Sequence, residues 1–237
     1  MPAPRRPSET GSHSDRPYWM WLPDSSPPWP GVVIVHGAGS RKENHGDFGR
    51  AAAGAGWAAL AYDQRGHGDS ADKMGPGALG DVGTMARLLA RREGVDPERV
   101  IARGSSMGGY MAIHAAATSD ALAGVIAICP AGEEHLRRGL ERDELEFRAD
   151  VGSRRELDAW LAEHDIAEAI TLLAGKPVLL IHAQGDEQIP HEHSELLFER
   201  ASEPRKLIVL PGGHHRSAQH DAEIQGVALR WIGRTLD

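Results

Sequence analysis

The sequence is poor in cysteine, in aromatic side chains and in positive charge. One cysteine among 237 residues, Cys129, leaves no disulfide possible within the chain, so nothing calls for an oxidising compartment. It falls in the apolar run 124–130 and reads as a buried strand residue. Lys and Arg number 26 against 34 Asp and Glu, a net charge of −8, which gives no electrostatic footprint for nucleic acid or an anionic membrane. A small-molecule substrate is the default. Residues 1–16 lack any apolar core segment and are rich in proline, serine and charge. They hold neither a secretion signal nor a membrane span, and are read as a disordered tail of a cytoplasmic protein.

What is present is a regular alternation. Short apolar runs at 32–36, 57–63, 100–104, 124–129, 177–182 and 205–210 have the composition of strands covered on both faces, and 18–22 has that of an edge strand. Between them, apolar residues recur at helical spacing: Val82, Met85 and Leu89; Ile166, Ile170 and Leu173; Ile224, Val227, Ala228 and Trp231. Strand and helix taking turns predicts an α/β domain over 17–237, a mostly parallel central sheet flanked by helices on both faces. One stretch, 132–155, is charge-dense and breaks the rhythm.

Candidate chemistry clusters just after the predicted strands. Ser106 is central in Gly104-Ser105-Ser106-Met107-Gly108, between an apolar run and a helical stretch at 110–118. That is the pattern of a sharp turn that lifts a hydroxyl above a sheet, with the N–H of Met107 beside it to receive an oxyanion. Ser105 is the rival by adjacency. A hydroxyl needs a base and a group to orient that base. Downstream, Gly185-Asp186-Glu187 follows one strand and Gly212-Gly213-His214-His215 follows another. Asp186, with Glu187 as competitor, is the candidate acid, and His214 or His215 the candidate base. The chain has 13 histidines, but His191-Glu192-His193 and its neighbours show neither HExxH spacing nor a cysteine set, so no metal or cofactor is expected. Residues 191–193 read instead as the start of a surface helix running to Arg200. In the loop Ser40-Arg41-Lys42-Glu43-Asn44-His45, Arg41 or Lys42 is placed to meet an anionic substrate group if the loop is not simply solvated.

These segments resemble the α/β-hydrolase superfamily, from about Tyr18 to the C-terminus. His36-Gly37-Ala38-Gly39 is similar to its HGxG loop, Asp63-Gln64-Arg65-Gly66-His67-Gly68-Asp69-Ser70 to its DxRGHGxS segment, and residues 104–109 to its GxSxGG elbow. The resemblance implies a catalytic triad of Ser106, Asp186 and His215, with His214 kept as the alternative base. It also implies an oxyanion hole built from the backbone N–H groups of Ala38 and Met107, and a scaffolding role for Asp63, Arg65 and His67. It makes 132–155 a small helical cap, with Trp160 at the far edge of the pocket. The expected activity is carboxylic-ester hydrolysis through an acyl-enzyme; thioester, amide or carbon–carbon cleavage uses the same machinery, and a non-catalytic ligand binder is the rival class.

Overall fold

The apolar runs become strands whose residues alternate between two buried faces. In the computed structural model, which describes residues 6–236, Val33, Val35, Val100, Ala102, Val125, Ala127, Val178 and Leu180 point to one core. Val32, Ile34, Ile101, Ile126, Ile128, Leu179 and Ile181 point to the other. A period of two with both sets apolar is what a central strand between two helical layers requires. The strands are β1 (Glu9–His13), β2 (Arg16–Trp21), β3 (Trp29–Val35), β4 (Ala58–Tyr62), β5 (Val95–Ser105), β6 (Gly124–Ile128), β7 (Val178–Ala183) and β8 (Arg205–Leu210). They form one sheet in the order β1-β2-β4-β3-β5-β6-β7-β8. β1 and β2 run antiparallel at one end, and β4 through β8 are parallel with β3 among them.

The helices are α1 (Gly46–Gly54), α2 (Ala78–Ala90), α3 (Met107–Thr118), α4 (Glu133–Glu141), α5 (Val151–Ala162), α6 (Ile166–Ala169), α7 (Glu192–Arg200), α8 (Ser217–His220) and α9 (Ala222–Leu236). Phe48 and Ala52 of α1 and Ala228, Leu229 and Ile232 of α9 cover one face of the sheet. Val82, Met85 and Leu89 of α2, Ala112 and Ile113 of α3 and Leu197 of α7 cover the other. The α/β architecture expected from the alternation is the one observed.

Several boundaries differ from expectation. The tail predicted as disordered is ordered from Ser8, whose N–H donates to Met20 O at 2.7 Å. β1 then pairs with β2 through a two-residue turn in which Ser14 (φ 49°) and Asp15 (φ 60°) are both left-handed, the conformation that matches the twist of a hairpin. Residues 1–5 lie outside the described residues. Segment 18–22 is therefore not an edge strand, because β1 lies outside it. Arg16 anchors the hairpin: buried, it donates to Asp81 Oδ2 at 2.8 Å and Ser70 Oγ at 3.0 Å, and it pairs with Asp72. Another is at Cys129, buried as predicted but one residue past β6, in a left-handed turn (φ 43°) with its N–H on Ile181 O.

The charge-dense excursion folds as α4 and α5, and the boundary drawn at 155 falls inside α5. Asp150 caps α5 by accepting the Ser153 N–H at 2.8 Å. Leu136, Leu140, Leu157 and Leu161 pack into the main core cluster, so the two helices have no core of their own. Arg148, between them, stitches the segment to the body: its N–H donates to Gly66 O, its carbonyl accepts from Met74 N, and its guanidinium reaches the carbonyls of His67, Gly68 and Ser70.

Candidate active site

Ser106 occupies the turn between β5 and α3 with φ 54° and ψ −123°, a strained conformation for a residue with a side chain. Its neighbours hold it there. The Ser106 N–H donates to Ile128 O at 3.0 Å, and its carbonyl accepts from Gly109, Tyr110 and Ala131 at 2.9, 3.2 and 3.1 Å. Such a turn needs two surfaces without β-carbons. A Cβ on Gly104 would lie 2.0 Å from Gly108 O, and one on Gly108 would lie 2.0 Å from Val35 O. Helix α3 thus starts against the end of β3, with Met107 N–H at its first position and the positive end of the helix dipole beneath Ser106. Ser105, the rival, closes β5 and is buried.

Of the two candidate bases, only His215 reaches an acid. Its Nδ1 lies 2.7 Å from Asp186 Oδ2. His214 is exposed, and its ring Nδ1 accepts the Arg216 N–H at 3.3 Å. Asp186, three residues beyond β7, has no exposed side-chain surface, and its Oδ1 accepts the N–H groups of Gln188 and Ile189, both at 2.9 Å. Burial alone would raise its pKa. The donors from His182, His215, Ile189 and Gln188 outweigh that and hold the carboxyl far below the usual range, so it is ionised at neutral pH. Glu187 plays another part: its Oε2 accepts the backbone N–H of His215 at 3.1 Å. Ser106 and His215 line one cavity of about 890 Å³ and share no hydrogen bond in this state.

The loop after β3 packs directly on the turn at Ser106. A Cβ on Gly37 would lie 3.2 Å from Ser106 Cβ, and Ala38 lines the same cavity. Fully buried His36 fixes this loop: its Nε2 accepts the Gln64 N–H at 3.2 Å, and Nδ1 lies 2.8 Å from Gly37 O. Burial, then the neighbouring His67, lowers its pKa to about 3, so the ring is neutral. Asp63 accepts Lys42 Nζ at 2.8 Å, Lys42 N–H at 2.9 Å and Asp69 N–H at 2.8 Å. Arg65 forks onto Asp81 at 2.8 and 3.1 Å. The Asp63 contacts tie the loop after β4 to the loop after β3, and Arg65 ties it to α2. Lys42 is therefore neither solvated nor turned to the cavity. Burial would push its ammonium down, but Asp63, Asp69 and Glu43 hold its pKa above the ordinary value. Arg41 is exposed and bonds Glu43.

Residues 26–161, more than half of the chain, match the family described as serine aminopeptidase, S33. The chain belongs to this family of α/β-hydrolases. Protein YfhR of Escherichia coli O157:H7 is 30% identical over 68% of this chain and 54% of its own length, so the alignment spans about half of that relative. The fold matches the structure of DcsB in complex with its substrate analogue at a TM-score of 0.80, with 18% identity over 96% of this chain and 98% of that one. A soluble variant of monoglyceride lipase from Saccharomyces cerevisiae gives 0.76, with 16% identity over 98% and 96%. At these identities the structural likeness carries the fold alone.

Within this hydrolase the cavity has two unlike walls. Gly37, Ala38, Ser106 and His215 form one, and α4 with the following linker forms the other, presenting Arg138, Arg142, Glu144 and Glu146. Trp160 is not at its edge. It stacks on His164 at 3.9 Å and meets Tyr110 edge-on in a separate apolar crevice, bounded by Met107 and Met111 below and Leu136 and Leu145 toward the cavity. Among the described residues, Cys129, Asp186 and His215 are the only three metal-ligating types whose ligand atoms all lie within 4.8 Å of one another. Two of these are already bonded together, and burial pushes the thiol up to about 12, so it is neutral. Sequence reasoning missed Cys129 as a neighbour of Asp186, and it missed His182, which has no exposed surface and faces Asp186 Oδ2 at 3.2 Å. The one legible trace of His182 was its place one residue before the end of β7, four residues before the acid.

No helix among the described residues is long and apolar enough to cross a membrane.

Proposed function

We propose that this hydrolase cleaves carboxylic esters of small molecules through an acyl-enzyme on Ser106, with His215 as base and Asp186 as its orienting acid. The observation that carries the reading is the 2.7 Å contact between His215 Nδ1 and Asp186 Oδ2, at the rim of a cavity that also holds Ser106. With Nδ1–H committed to the carboxylate, Nε2 is the basic nitrogen, and it is the one left to face the cavity. For attack, Ser106 Oγ and Nε2 close to hydrogen-bond distance, a contact that commonly forms only with substrate bound. The imidazole takes the hydroxyl proton as Oγ adds to the carbonyl carbon. It then returns the proton to the leaving alkoxide as the C–O bond breaks. Water repeats the sequence and releases the acid.

The negative charge on the carbonyl oxygen goes to the N–H groups of Met107 and Ala38. Both are main-chain donors on packed segments, so they need no reorganisation as the charge forms. The cavity volume of about 890 Å³ suits a drug-sized ligand. A monoglyceride lipase is among the proteins with this fold, so the fold is compatible with an ester as the scissile bond. The family description names peptide cleavage, so amides are the competing class.

A series of chromogenic esters and thioesters of increasing acyl length, run beside aminoacyl anilides on wild type and Ser106→Ala, tests the reading. Ester turnover that exceeds anilide turnover and vanishes in Ser106→Ala is the expected result. Turnover of anilides alone would replace the ester assignment. A phosphonate that fails to label Ser106, with no turnover of any substrate, would favour a ligand-binding protein.

A further inference from the structure

The acid of the proposed triad is braced by a buried histidine that the reaction itself does not use. His182, the penultimate residue of β7, lies between α7 and the acid loop with no exposed side-chain surface. Its Nε2 lies 3.0 Å from Ile189 O, the better-aligned acceptor, and 3.2 Å from Asp186 Oδ2. Its Nδ1 lies 2.7 Å from Oγ of Ser194, which is also fully buried. A carbonyl and a carboxylate can only accept, so Nε2 must carry a proton. A neutral ring then has a bare Nδ1, and the Ser194 hydroxyl donates to it. The Ser194 contact is therefore compatible with the tautomer that the acid loop imposes and satisfies its second nitrogen.

The loop is closed from both ends of one residue. Ile189 N–H donates to Asp186 Oδ1, while Ile189 O accepts from His182. Asp186 thus bonds His215 through Oδ2 and accepts two amides on Oδ1, with His182 Nε2 3.2 Å from Oδ2, which fixes both the rotation of the carboxylate and its distance to His215. We infer that His182, its Nε2 proton held by the acceptors of the acid loop and its Nδ1 met by Ser194, is a positioning residue that fixes the carboxylate of Asp186 against His215. The inference rests on the reading of Asp186 and His215 as acid and base. Other titratable groups around this network are the Cys129 thiol from the end of β6, Glu187 beside the acid, His193 on α7 and His135 on α4. None of them donates to Ile189 O, so none replaces His182.

His182→Leu, His182→Gln and Ser194→Ala test this with three readouts: the pH profile of kcat/KM, the split between kcat and KM, and the far-downfield proton resonance of His215 Nδ1–H. His182→Leu is expected to lower kcat/KM roughly 10- to 100-fold, the range seen when an outer partner of a functional group is removed. KM should stay within about twofold. A displaced carboxylate stabilises the imidazolium less, so the acid limb should move to lower pH and the downfield resonance upfield. His182→Gln, which keeps a side-chain N–H, should recover most of both, and Ser194→Ala should show a smaller loss in the same direction. An unmoved resonance with unchanged kcat/KM in folded His182→Leu would overturn the assignment, as would a His182→Gln no better than Leu. If His182→Leu does not fold, Ser194→Ala decides: an upfield shift supports the role and a wild-type resonance overturns it. The resonance needs no substrate. Failure of wild type to label with phosphonate or turn over esters would instead count against the hydrolytic reading alone.

Discussion

Replacing Gly108 by alanine should separate the turn at Ser106 from the rest of the fold. The new methyl would sit 2.0 Å from Val35 O and 2.5 Å from His36 O, both backbone atoms at the end of β3. Ordinary carbon–oxygen contacts begin near about 3.3 Å. The start of α3 must therefore retreat by more than about 1 Å, and it carries the Met107 N–H away from the Ala38 N–H across the proposed oxyanion site. Loss of one such donor costs about 3 kcal/mol, which at 1.36 kcal/mol per decade is roughly 150-fold in kcat. Overpacking adds about 1–3 kcal/mol of lost stability. Gly80→Ala in α2 is the internal control, because a Cβ there meets nothing within 4 Å. It should leave turnover unchanged and gain up to about 1 kcal/mol from helix propensity. The assay is steady-state ester hydrolysis with a urea melt of each variant. A folded Gly108→Ala enzyme with kcat within about threefold of wild type would refute the idea that this close approach sets the oxyanion site.

The remaining expectations are more direct. Asp186→Asn should reduce kcat by about 10⁴-fold, as loss of the tautomer-fixing acid does elsewhere, while Glu187→Gln stays within about tenfold; equal losses would mean the two acids have been assigned the wrong way round. His215→Ala should be inactive and His214→Ala close to wild type in the same assay. Lys42→Met should destabilise by about 3–5 kcal/mol in urea titrations, because it leaves buried Asp63 without its ammonium; a loss under about 1 kcal/mol would show the pair is solvated. Stability should also fall on acidification. Burial lowers His36 to about 3 and His114 to about 4, below the unfolded value near 6.5. The unfolded chain therefore takes up protons that the folded chain refuses between about pH 6.5 and those values, and each ring costs about 2 kcal/mol by pH 5. His114→Phe should remove one such increment from the difference between urea melts at pH 7.5 and 5.0, and an unchanged difference would contradict it.

The central sheet was legible because its strands are apolar on both faces, a signal that survives without knowing the partners. The proposed site was legible because its residues sit at carboxyl ends of strands: Ala38 after β3, Ser106 after β5, Asp186 after β7 and His215 after β8. β1 was not, since Glu9–His13 is polar throughout and is held by a turn and by a buried arginine 54 to 65 residues from its partners Ser70 and Asp81. Lys42 misled for a related reason. A lysine in a polar loop looks the same in sequence whether water or a buried aspartate receives it, and only the approach of β3 to β4 brings Asp63 to its ammonium. His182 carries the same lesson into the site. Within one apolar run its ring reads as core, and its meaning depends on the acid loop folding back four residues to present acceptors on one nitrogen while α7 presents a hydroxyl to the other. The groups proposed to react stand at strand ends and announce themselves, whereas the groups proposed to orient them lie inside the layers and become visible only through distances. The consequence for this hydrolase is that its rate should depend on residues such as Gly108 and His182 that touch no substrate, because they set where Met107 and Asp186 stand.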